Sequence, residues 1–144
     1  MPLPLTGPPA SVCILRLSAI GDVTHVLPIL RTLQDKWPAT KITWIIAKAE
    51  AVLVSDIEGV EFIIFDKSEG WRAYKKLRIT LTGREFDVLL HMQTALRASI
   101  ASLMVSADIK VGFDKQRARN FQHCLLYTSP SPRDQLQHLV CRLL

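Results

Sequence analysis

The chain has 144 residues, 49% of them hydrophobic and 22% charged, with a formal charge of +5. That length holds one ordinary domain, and the composition excludes a disordered or low-complexity chain. No apolar run approaches the roughly 20 residues of a membrane-spanning helix, and residues 1–10, Pro-rich and without a basic start, are not a secretory signal but a flexible extension over residues 1–11. The positive charge favours an anionic partner; nucleic acid, an anionic lipid surface and a sugar nucleotide all satisfy it, as does a plain basic surface. Cys13, Cys124 and Cys141 form no CxxC pair or Cys/His cluster, so no metal site is expected and a reducing compartment is the simpler reading.

Residues 12–17 form a short, bounded apolar run, as a buried parallel strand requires. Ser18, Gly21 and Asp22 break it. Val26, Leu27, Leu30, Leu33 and Trp37 then recur near helical spacing. Residues 41–47, rich in β-branched and aromatic side chains, predict a second strand, and residues 50–55 a short helix. A third strand is predicted over 60–65 and a basic, amphipathic helix over 71–81, stopped by Gly83. Residues 86–91 predict a fourth strand, 94–105 a helix, and 109–113 a fifth strand. Strand and helix alternate throughout. The expected fold is therefore α/β: a Rossmann-like, doubly wound parallel sheet covering residues 12–123.

In such sheets ligands sit at the carboxyl ends of the strands, which directs attention to residues 18–24. Asp22, beside Gly21 at a strand mouth, suits a base that takes a proton from a hydroxyl; a helix cap is the equal alternative. The loop lacks the GxGxxG and P-loop spacings. Residues 71–78 interleave Arg72, Lys75, Lys76 and Arg78 with Trp71 and Tyr74, which is either an anion-docking surface or a solvated face. Gln93 and Arg97, four apart after the fourth strand, are placed to share a helix face, with His91 read as a strand-end polar residue. Arg117 and Arg119 follow the Gly112-Phe-Asp turn and either bind phosphate or lie exposed. His25 and Trp37 read as structural, Met92 and Met104 as core.

Residues 124–134 read as the translation of a transposase-type sequencing adapter, residues 135–137 as its index, and residues 138–144 as its next constant segment. On that reading residues 124–144 are a non-native tail and the native frame is cut near His123; the alternative is a Pro-rich turn followed by a short helix over 136–144.

Residues 16–28, Arg-Leu-Ser-Ala-Ile-Gly-Asp-Val-Thr-His-Val-Leu-Pro, resemble the first motif of the lipopolysaccharide heptosyltransferases, the ADP-heptose-using branch of glycosyltransferase family 9. Residues 71–78, 86–93 and 112–119 resemble later motifs of the family, in the same order. The resemblance implies the amino-terminal, acceptor-side half of a GT-B transferase, whose missing half binds ADP-heptose. It implies inverting transfer of heptose to the Kdo sugar of a lipid A acceptor, without a metal or other cofactor, at the cytoplasmic face of the bacterial inner membrane. It makes Asp22 the base, has Ser18 and Gly21 shape its loop, and gives Arg72, Lys75, Lys76, Gln93, Arg97 and Arg119 to the acceptor. Where His91 stands the family often carries an acidic residue. The alternatives are heptosyltransferase II or another GT-B sugar transferase, and a non-catalytic anion-binding module; nucleic-acid binding ranks last because no recognition motif is present.

Overall fold

The computed structural model describes residues 7–18, 20–93, 95–112 and 127–128. In chain order it contains β1 (Ser11–Leu15), α1 (Ile20–Thr24), α2 (Val26–Lys36), β2 (Lys41–Ala47), α3 (Lys48–Ala51) and β3 (Val60–Phe65). A 3-10 turn (Lys67–Glu69) leads into α4 (Trp71–Leu81), followed by β4 (Glu85–His91), α5 (Leu96–Leu103), β5 (Ser106–Gly112) and the two-residue β6 (Tyr127–Thr128). The strands lie in the order β3-β2-β1-β4-β5-β6 and every pair is parallel.

Side chains alternate across the sheet, so each face has its own core. On one face Val12, Ile14, Ile42, Trp44, Ile46, Val88 and Leu90 pack against Ile29, Leu30 and Leu33 of α2. On the other, Cys13, Leu15, Ile45, Phe65 and Leu89 meet Ala73, Leu77 and Leu81 of α4 and Ala98 and Ala101 of α5. The two-sided burial explains the unbroken apolar run of the first strand and of β2, where Ile42–Ala47 is buried throughout. Cys13 behaves as a small hydrophobe; burial pushes its thiol pKa up to about 12.

Several boundaries differ from the sequence pattern for identifiable reasons. Residues 20–24, read as loop, form the short α1, and a turn at His25 separates it from α2, which lies where the helix is expected: the His25 N–H bonds the Asp22 carbonyl at 3.2 Å, and Pro28 has no N–H to offer the Thr24 carbonyl. His25 is accordingly exposed rather than structural, whereas Trp37 is buried. The helix expected over 50–55 is the shorter α3, followed by turns. β5 starts at Ser106, before its apolar stretch, because its ladder with β4 begins at Glu85↔Ser106. The chain before β1 is tied in as well: the Pro9 carbonyl accepts from Thr40 Oγ1 at 2.6 Å, and the Ala10 carbonyl accepts from the Lys41 N–H at 2.9 Å.

Candidate functional site at the carboxyl edge

The order of strands reverses between β1 and β4: β2 and β3 are laid down on one side of β1, then β4 and β5 on the other. At such a switch point the two following loops separate in opposite directions and leave a crevice at the carboxyl ends. The described parts of these loops are residues 16–18 after β1 and residues 92, 93 and 95 after β4.

Both loops are fastened to the sheet and to each other. Arg16 N–H donates to Ile45 O at 3.2 Å, Ala47 N–H to Leu17 O at 3.1 Å, and Met92 N–H to Leu15 O at 3.1 Å. Gln93 Oε1 accepts from the Leu17 and Ser18 N–H groups at 2.8 and 3.3 Å, and its Nε2 donates to Ser18 Oγ at 3.3 Å. Ser18 and Gln93 are thus brought together as one clamp. Gln93 and Arg97 do not share a helix face, because α5 begins only at Leu96.

Asp22 lies in the first turn of the short α1, and its carboxylate is turned to Arg16. Arg16 Nη2 stands 2.7 Å from Asp22 Oδ2; the Arg16 side chain is 17% exposed and that of Asp22 52%. Nη1 of the same guanidinium donates to the Met92 carbonyl, so Arg16 joins both loops of the crevice. Gly21 is exposed, and beyond its chain neighbours and its own helix backbone no described atom lies within 4 Å of the point where a Cβ would stand. A half-exposed carboxylate held through one oxygen can receive a proton from a hydroxyl group entering the crevice.

His91 is 3% exposed at the end of β4. Burial pushes its pKa down to about 4, helped by the charge of Lys110 and opposed by the nearby Gln93 backbone. Its imidazole is therefore neutral near pH 7 and belongs to the floor of the sheet.

The basic segment divides in two. Gly70, with φ +54° as the residue before α4, permits the sharp entry into that helix. Trp71 stands 76% exposed at its start, with Tyr74 at 5.4 Å between ring centres and Phe65 beyond, edge-on to Tyr74 at 5.0 Å. Tyr74 Oη donates to the Arg97 carbonyl at 3.5 Å, which brings Arg97 to α4. These residues line a hollow of about 160 Å³ together with Lys67 and Gly70. Arg72 and Lys75 are exposed on α4, while Lys76 is paired with Glu69 at 2.6 Å. Arg119, Arg117 and the tail beyond residue 128 lie outside the described residues.

Two features were invisible in the sequence pattern. Arg16 reads there as one polar residue in an apolar run, with nothing to pair it to Asp22. The other is a crossed ion-pair cluster, Lys48–Asp66 and Lys67–Glu50, both at 3.3 Å, lining a cavity of about 460 Å³ between the ends of β2 and β3. The Asp66-x-Ser68 spacing, an Asx-turn signature, was the available signal: Ser68 donates its N–H and hydroxyl to Asp66 Oδ1, and these bonds, foremost the hydroxyl's, hold the Asp66 carboxyl below its ordinary pKa.

Comparison with known proteins agrees with the fold. The family profile described as "Glycosyltransferase family 9 (heptosyltransferase)" matches residues 74–144. The lipopolysaccharide core heptosyltransferase OpsX of Haemophilus influenzae is 47% identical over 122 residues, 85% of this chain and 35% of that protein. Lipopolysaccharide heptosyltransferase 1 of Escherichia coli K12 is 27% identical over 141 residues, 91% of this chain and 44% of that protein. Among solved structures, the E. coli heptosyltransferase WaaC with ADP superposes with a TM-score of 0.76 at 23% identity, covering 93% of this chain and 46% of that one. E. coli ADP-heptose lps heptosyltransferase II gives a TM-score of 0.55 at 17% identity, covering 86% and 43%. The chain spans well under half the length of the curated relatives it matches. By the family profile and by the 47% identity to OpsX over 85% of this chain, the sequence is similar to glycosyltransferase family 9, the heptosyltransferases, and its Rossmann-like sheet shares the fold of their solved structures.

Proposed function

We propose that this chain is the acceptor side of a heptosyltransferase that moves heptose from ADP-heptose to a Kdo sugar of lipid A, with inversion at the sugar carbon. The observation that carries the reading is the Asp22 carboxylate, half exposed at the switch point and held, among the described residues, through one oxygen. An acceptor hydroxyl meeting its other oxygen loses its proton to Asp22 as the hydroxyl oxygen bonds to the anomeric carbon of heptose. The bond from that carbon to ADP breaks on the opposite face, and ADP leaves with the electron pair. Ser18 and Gly21 shape the loop that carries the base, and Gln93 holds that loop. Arg72, Lys75 and Arg97, with Lys76 and Arg119, meet the carboxylates and phosphates of the acceptor. The donor is bound by the part of the relatives' length that this chain does not span, and no metal or other cofactor enters the reaction. The acceptor is a membrane lipid, so the enzyme works at the cytoplasmic face of the inner membrane, where a chain of charge +5 is attracted to anionic lipid.

Sequence similarity to lipopolysaccharide heptosyltransferase 1 and to OpsX supports a heptose transferase of the lipopolysaccharide core, and within it we take Kdo rather than an already heptosylated core as the acceptor. The test is transfer of labelled heptose from ADP-heptose by the full-length enzyme carrying this segment, offered Kdo-lipid A or a heptosylated acceptor. Product on Kdo-lipid A, abolished by Asp22→Ala, supports the proposal. Product only on the heptosylated acceptor overturns the choice of acceptor, and full activity of Asp22→Ala overturns the assignment of the base.

A further inference from the structure

We infer that Arg16 is a positioning residue: it anchors the Asp22 carboxylate to the sheet so that one oxygen stays open toward the acceptor hydroxyl. The inference rests on Asp22 being the base. A carboxylate on a short helix at an exposed edge has two free side-chain torsions, and a base is effective only when its oxygen is held where the proton will be. The described residues supply one partner for that carboxylate, Arg16 Nη2 at 2.7 Å.

Arg16 is itself held from several directions. Its N–H bonds Ile45 O at 3.2 Å, and its carbonyl accepts from Trp44 Nε1 at 3.2 Å, so its backbone is stitched to β2. Its Nη1 donates to the Met92 carbonyl after β4. A guanidinium is planar, so bonds from both terminal nitrogens set its plane as well as its position. The Asp22 Oδ2 atom is thereby referred to three neighbouring strands rather than to its own short helix alone. Gln93 acts in parallel on the main chain of Leu17 and Ser18, so the two ties share the β4 end as their anchor. The opposite role, an arginine that quenches the base until substrate displaces it, predicts a faster enzyme when Arg16 is removed; the positioning role predicts a slower one.

The experiment is steady-state transfer by the full-length enzyme carrying this segment, comparing Arg16→Gln, Arg16→Lys, Arg16→Ala and Asp22→Ala. Arg16→Gln is expected to lower kcat about 10- to 100-fold, with KM for ADP-heptose within about twofold of the parent. Arg16→Lys keeps a donor within reach of the carboxylate and is expected to recover most of the loss. Guanidinium ion at non-denaturing concentration is expected to raise the rate of Arg16→Ala and to leave Asp22→Ala unchanged. Circular dichroism of each variant separates unfolding from misplacement, and the guanidinium rescue decides the matter if Arg16→Gln is unstable. A parent-like or faster Arg16→Gln, or an Arg16→Ala that folds and ignores guanidinium, overturns the role of Arg16 while leaving Asp22 as base. An active Asp22→Ala removes the base itself and is read separately.

Discussion

Two arginine–carboxylate pairs sit at opposite ends of the same sheet, and they are built differently. At the amino edge Arg84 grips Glu61 with both terminal nitrogens, Nη1 to Oε1 at 2.8 Å and Nη2 to Oε2 at 2.5 Å. Thr43 Oγ1 adds a bond to the same carboxylate at 3.3 Å, and the guanidinium lies 5.5 Å from the centre of the Phe86 ring. Both carboxylate oxygens are occupied, and Arg84 above all holds the Glu61 carboxyl below its ordinary pKa. At the carboxyl edge Arg16 takes one oxygen of Asp22 and gives its other nitrogen to a backbone carbonyl. The first pair ties β3 to the start of β4 and leaves little acceptor capacity over. The second leaves the other oxygen of a half-exposed Asp22 without a partner among the described residues. Saturation of its hydrogen bonds, rather than its charge, separates a structural pair from one fitted for chemistry.

The contrast can be broken by experiment. Its largest consequence is kinetic: Asp22→Ala is expected to slow the full-length enzyme by about 10²- to 10⁴-fold, the usual worth of a general base, whereas Glu61→Gln leaves kcat unchanged. Single-turnover heptose transfer by both variants checks this, and equal losses would dissolve the distinction.

The next effect is on stability and comes from the floor of the carboxyl edge. His91 has its pKa depressed in the folded chain, to about 4. The unfolded chain binds the proton first, near pH 6.5, so unfolding gains ground as pH falls from about 6.5 to about 4 and the effect is absent above that window. The loss is on the order of 3 kcal/mol. Urea midpoints measured across that window for the parent and for His91→Phe test it; a variant with the parent's slope places the acid sensitivity elsewhere.

A smaller effect is expected from the Gln93 clamp. Gln93→Leu leaves the Leu17 and Ser18 N–H groups without their side-chain acceptor and should destabilise the loop by about 1–2 kcal/mol. Amide exchange at Leu17 and Ser18 should quicken about 5- to 30-fold while that of Val12 to Leu15, inside β1, stays slow. Unchanged exchange at both amides would mean that the clamp contributes nothing. The smallest effect belongs to the amino edge. Glu61 is more than half exposed, so Glu61→Gln should cost only about 0.2–1 kcal/mol, present above the ordinary glutamate range and vanishing as pH falls through the depressed pKa. Thermal unfolding at neutral and acid pH measures both parts.

Much of this molecule can be read before any coordinates. The run through Cys13, Ile14 and Leu15 is apolar on both faces because helices cover both, and β2 shows the same mark. Asp22 stands out because Gly21 and Ser18 interrupt an apolar strand at its carboxyl end. Less legible are features whose partners lie far along the chain. Gln93 carries no sign that its amide serves Ser18, 75 residues away. Arg97 pairs by spacing with Gln93, yet α5 starts too late for that and Tyr74 claims its carbonyl. Lys76 looks like one more free cation of the basic segment until Glu69 is seen beside it.

The division has a physical origin. Local chemistry decides what a short segment can be: alternation and burial pattern choose strand or helix, Pro28 helps to part α1 from α2, Gly70 admits the entry to α4, and the parallel α/β class follows from the order of those elements. Those properties belong to the sequence alone. Which strand lies beside β1 is decided by packing the whole chain, and that choice sets β4 against it. Only then do Arg16, Asp22, Met92 and Gln93 meet at one crevice, because hydrogen bonds and ion pairs act over a few ångströms of space, whatever the distance along the chain.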